Sequence, residues 1–141
     1  MPVLNKSNRI ILHFKDTTGL FTALARILID RGHDIEFIDR EFGIIRTRLS
    51  PIPGDNSFDE QMMLKTVFRD STITISSALR SVAFNREANY EVKFTKKRKD
   101  SIDLTWDELM QIVELLKPAS ITYSTVRNNI PNTAGYVKPP K

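Results

Sequence analysis

Two runs of alternating residues constrain this chain more than any other feature. Met62, Leu64, Thr66 and Phe68 alternate with Met63, Lys65, Val67 and Arg69. After Arg69-Asp70-Ser71 the alternation resumes, with Ile73, Ile75, Ser77 and Leu79 against Thr72, Thr74 and Ser76. A period of two sends successive side chains to opposite faces, so the runs read as two strands joined by a tight turn. Such a hairpin has one apolar-rich face, which other elements must cover.

The cover comes from two helical segments. In Gly19 to Arg31, Leu20, Leu24, Ile27 and Leu28 recur at helical spacing. Asp16, Thr17 and Thr18 precede that segment as N-cap oxygens, and Gly32 stands where a left-handed C-cap residue is wanted. The second helix is expected to begin at Thr105, with Thr105 and Glu108 as a capping box. Leu109, Ile112, Val113 and Leu116 form its apolar stripe, and Pro118 stops it.

Further strands surround these helices. Arg9 to Phe14 is a short apolar run that reads as a buried first strand. Asp34 to Asp39 places Ile35 and Phe37 on one face and Glu36 on the other. Arg40 to Gly43 turns the chain, and Ile44 to Leu49 returns with Ile45, Thr47 and Leu49 on one side and Arg46 and Arg48 on the other. Ser50 to Phe58, with Pro51, Pro53 and Gly54, reads as a loop. A sixth strand is expected over Tyr90 to Thr95, and Ser120 to Ser124 can add an edge strand. The sum is an α+β fold of order β-α-β-β-β-β-β-α-β: a curved, mainly antiparallel sheet of about five to seven strands, with two helices on one face. One domain over 1–126 and a flexible tail over 127–141 complete the reading, since Asn, Pro, Gly and Lys dominate the tail.

Bulk composition agrees with one globular domain of 141 residues, 40% hydrophobic and 27% charged. No apolar run approaches the roughly 20 residues of a membrane span, and the start Met-Pro-Val-Leu-Asn-Lys has no apolar signal stretch. The expected location is periplasmic or envelope-anchored if a signal segment was removed, and otherwise cytoplasmic. There are no cysteines, which removes thiolate chemistry and cysteine-based metal sites.

No catalytic constellation stands out, so the chain reads as a non-enzyme without cofactor or metal. His13 lies in an apolar strand as a core or sheet-face residue, and His33 follows a helix C-terminus, where it suits the dipole. Neither has a second ligand at metal spacing. No serine occupies a nucleophile elbow, and the five glycines form no phosphate-cradling loop. Asp34, Glu36 and Asp39 are explained by cross-strand pairing with Arg40, Arg46 and Arg48. Lys96-Lys97-Arg98-Lys99 could touch phosphates or an anionic surface, although a solvated loop accounts for the same charges. Lacking interleaved aromatics, it gives nucleic acid little support as a partner. Asp16 to Gly19 could hold a small anion on helix amides, but capping accounts for it as well.

Two resemblances follow from the residues. The order Arg31-Gly32-His33, Asp34 to Thr47, Asp70 to Ser76, Trp106 to Met110 and Ile121 to Tyr123 resembles small bacterial cell-envelope domains of the lipoprotein type, including BamC-like domains. That resemblance implies a helix-on-sheet fold, an envelope location and a binding or scaffolding role with a protein or envelope-surface partner. Asp16 to Leu20, through Gly32 to Ile35, resembles the opening of ACT regulatory domains, with Thr18 in place of proline and Asp34 in place of asparagine. It implies amino-acid sensing, with ligand near Asp16, Thr17, Thr18 and Gly19 and at a dimer interface. Past Leu49 that second resemblance ends, because Met62 to Leu79 reads as a hairpin.

Overall fold

A computed structural model describes residues 8–54, 60–83, 86–92 and 101–125. Its elements run β1 (Arg9–His13), α1 (Leu20–Asp30), β2 (Ile35–Asp39), β3 (Ile44–Thr47), β4 (Ser50–Pro51), β5 (Glu60–Arg69), β6 (Thr72–Ala83), β7 (Arg86–Glu91), α2 (Ser101–Leu116) and β8 (Ser120–Ser124). The expected α+β architecture is present. Among the described residues the sheet has eight strands, with the order β2-β3-β5-β6-β1-β8, β4 beside β5 and β7 beside β6. Every pairing among them is antiparallel. The expected tail, 127–141, lies outside the described residues.

The β5–β6 hairpin is the spine, pairing from Arg69↔Thr72 to Glu60↔Ser81 without a break. Its two-residue turn puts Asp70 at φ 52, a left-handed position that Asp tolerates. Because the hairpin outruns its neighbours, each long strand serves two partners. β5 takes β3 and then β4, while β6 takes β1 and then β7. Omitting β2–β4 and β7, the chain runs β1-α1-β5-β6-α2-β8 with sheet order β5-β6-β1-β8, a split β-α-β arrangement.

Alternation decides the core. Ile10 and Leu12 of β1, Leu64 of β5 and Ile73 and Ile75 of β6 are buried beneath Leu24 and Leu28 of α1 and Leu109 and Ile112 of α2. The intervening residues form a second, open face. α1 ends as its sequence requires. Gly32 takes φ +87, its amide bonds Ile29 O at 3.0 Å, and the His33 amide bonds Leu28 O at 2.8 Å. This is a Schellman motif, which delivers His33 to the inside.

Several expectations are corrected. α1 is not capped by Asp16 to Thr18: Gly19, at φ 68, holds the N-cap without a side-chain bond. Asp16 Oδ1 instead accepts the Thr18 amide at 2.9 Å, a turn that competes with capping. α2 begins at Ser101, so Thr105 and Glu108 are buried helix interior and not a capping box. Ser50–Pro51 is not loop but a short strand against Gln61 and Met62. In β2 the register shifts between Ile35 and Phe37, leaving Glu36 as a bulge and Phe37 opposite Arg46 on the open face. The sixth expected strand, Tyr90 to Thr95, overlaps the strand Arg86–Glu91 only at Tyr90 and Glu91, and 93–95 lie outside the described residues; the residues before Tyr90 carry only Ala88 as an apolar signal.

Candidate functional site

The open face carries one row of residues straight across the sheet. Phe37 on β2 lies opposite Arg46 on β3, Arg46 opposite Lys65 on β5, and Lys65 opposite Ser76 on β6. Arg9 follows on β1, one step beyond the Ile10↔Ile75 pair, and it faces Ser124 on β8. Arg9, Arg46, Met63, Lys65 and Ser76 line a groove of about 290 Å³. Adjacent strands lie about 4.8 Å apart, so the three cations fall within about 15 Å.

Local contacts orient part of the row. Arg46 places its guanidinium 5.5 Å from the Phe37 ring centre and donates to Glu36 Oε1 at 3.3 Å, both groups being well exposed. The bulge at Glu36 makes both contacts possible. Arg46 Nε, out of contact with water, has no hydrogen-bond partner. Arg9 donates from Nη1 to Asn8 O at 3.1 Å. Lys65 is exposed. Like charges directly opposite on neighbouring strands destabilise a sheet, so Arg46 against Lys65 is an arrangement that folding alone does not favour. An anion in the groove would remove the repulsion.

A second cluster lies on the helix side. Glu108, its side chain 1% exposed, accepts from Arg31 Nε at 2.7 Å and Nη2 at 2.5 Å, and its Oε2 lies 2.7 Å from His33 Nε2. Burial pushes the Glu108 carboxyl up, but the bonds from Arg31 and His33 outweigh it and hold the group below its usual range. His33 Nδ1 faces Ser50 Oγ at 3.5 Å, long for a hydrogen bond. The Ser50-His33-Glu108 order has the look of a nucleophile relay. Yet the imidazole is 1% exposed and a guanidinium already takes both carboxylate oxygens. What the cluster does is tie the end of α1, α2 and β4 together.

The residues singled out in the sequence fall elsewhere. Asp16, Thr17, Thr18 and Gly19 form an exposed turn. Within it the Thr18 amide is held by Asp16 Oδ1, and the Leu20 amide that follows it is held by Thr17 O. Lys96, Lys97, Arg98 and Lys99 lie outside the described residues. His13 is a sheet-face residue, its Nε2 3.0 Å from Thr122 Oγ1. Asp39 does not pair across strands; its Oδ1 accepts the Glu41 and Phe42 amides at 2.9 and 3.1 Å. Sequence reading missed the row, although its signal was present: Arg9, Arg46 and Lys65 are each the outward residue of a strand.

Among the described residues no group of three His, Cys, Asp or Glu side chains is placed to hold a metal, and no helix is long and apolar enough to cross a membrane. Comparison with protein-family models, curated proteins and solved structures finds no match to this chain. The functional reading therefore starts from the geometry of the row.

Proposed function

We propose that the chain is a non-catalytic binding module that holds an acidic segment of a partner protein on its open sheet face. The observation carrying this reading is the cross-strand row of Arg46, Lys65 and Arg9 around one groove. The groove is suited to recruiting charge, since Arg46, Lys65 and Arg9 all line it. The bacterial cell envelope is the setting that the lipoprotein-type resemblance implies, and it belongs to the proposal. Amino-acid sensing at Asp16 to Gly19 is less supported, because the Thr18 and Leu20 amides already have partners.

The test is fluorescence anisotropy with a labelled hexaglutamate peptide, titrated at several salt concentrations. Binding should weaken with salt, because exposed charges are screened. Lys65→Glu should weaken it about tenfold, roughly 1.4 kcal/mol. Lys65→Ala should leave the melting temperature unchanged or slightly raised as the Arg46 repulsion is relieved. Equal affinity for the peptide in wild type and Lys65→Glu would refute the site. Preference for anionic vesicles or single-stranded DNA over the peptide would refute the partner class and keep the site.

A further inference from the structure

The two ends of the strand path β2-β3-β5-β6-β1-β8 are built differently. β2, at one edge, is guarded by its bulge at Glu36 and by the charges of Glu36 and Asp39, which are devices that deter strand addition. β8, at the other, has none of these. Its sequence Ser-Ile-Thr-Tyr-Ser contains no charge and no proline, and it pairs with β1 over five residues in unbroken register. Among the described residues no strand pairs with its outer side. Ile121, on the helix-side face opposite Leu12, is left 38% exposed.

We infer that β8 is the interface for a second copy of this chain, added antiparallel about a two-fold axis at Thr122. The β8 sequence complements itself. With the axis at Thr122, Thr122 faces its own counterpart, Ser120 faces Ser124, and Ile121 faces Tyr123. This is the alignment that uses all five residues, and it pairs like with like on each face. Ile121 and Tyr123 meet on the helix side, and Ser and Thr meet on the open side. A slip by one residue would set apolar side chains against the polar face. A closed two-fold pairing consumes the free edge of both copies. A foreign acidic or basic strand finds no charge here to select it, which favours a second copy as the occupant.

The absence of cysteine makes the register measurable. Directly opposite residues have Cα atoms about 4.5–5.5 Å apart, within the disulfide range of about 4.4–6.8 Å. Thr122→Cys, at an exposed position, should therefore cross-link under mild oxidation. Ser124→Cys should not, since the two introduced thiols would lie four residues, about 13 Å, apart along the strands. Sedimentation of the unmodified full chain should give the mass of two chains. Thr122→Lys and Thr122→Glu should each sediment as monomers with unchanged circular dichroism, and an equimolar mixture of the two should regain the dimer. A monomeric unmodified chain up to millimolar concentration would overturn the inference. So would a dimer in which Ser124→Cys cross-links as fast as Thr122→Cys.

Discussion

Replacing Glu108 by Gln should cost the fold about 3 kcal/mol. The side chain accepts two bonds from Arg31 and faces His33 Nε2 at 2.7 Å, in a site from which water is excluded. Losing the charge weakens bonds each worth about 1.5–3 kcal/mol, and the amide NH2 of Gln sets a donor against donors. Two effects reduce the total. The carboxylate's own desolvation cost disappears, and Arg31, with its side chain 30% exposed, can turn to water. His33 cannot, being 1% exposed. For a domain of this size about 3 kcal/mol corresponds to a melting shift of roughly 10 °C. The same variant should alter the acid limb of stability. The Glu108 carboxyl lies below its ordinary 4.5 in the folded chain, so its contribution is complete above about pH 4.5 and is lost as pH falls through the lower folded value. Urea unfolding of wild type and Glu108→Gln between pH 3 and 7 measures both effects. A difference under about 0.5 kcal/mol at pH 7, with parallel acid limbs, would show that Glu108 is not the anchor described.

Two further substitutions probe the β2–β3 turn. Gly43→Ala should destabilise by roughly 3 kcal/mol, because Gly43 has φ +68 and a Cβ there would meet Phe68 O at 2.7 Å and Phe68 Cβ at 2.8 Å. Thermal melting reads this. Asp39→Ala should cost about 1 kcal/mol through its two amide bonds, and the hydrogen exchange of Glu41 and Phe42 should rise with it.

The sequence was most legible where one face of an element is buried. The β5–β6 alternation, the α1 stripe and the Gly32 terminus all appear where period and chirality demand them. It was least legible where two local solutions share one pattern. Thr105-x-x-Glu108 fits a capping box and equally fits the interior of a longer helix. The distinguishing signal is that Thr105 lies one turn before Leu109 and Glu108 one turn before Ile112, on the stripe itself. A carboxylate there needs a buried cationic partner, and Arg31 and His33 supply the donors. The bulge at Glu36 left no such signal, since it depends on how β2 meets β3. Nor could any one segment reveal the row, which is assembled by register from β3, β5, β6 and β1.

The parity of β5 makes the two proposals separable. Lys65 stands between the buried Leu64 and Thr66, so changing it alters the open face and leaves the core as it is. Pairing through β8 would carry the row from Arg9 through Ser124 to Ser120 of the second copy, which in turn lies opposite His13. The two cationic grooves would then share one surface but be offset along the strands by about 13 Å. A short acidic peptide fills one groove and is indifferent to the pairing. A longer one that reaches both gains by effective concentration, and only while the copies stay joined. Charge at Thr122 therefore acts on the long ligand alone, whereas charge at Lys65 acts on both, so groove and edge can be assigned from one pair of variants.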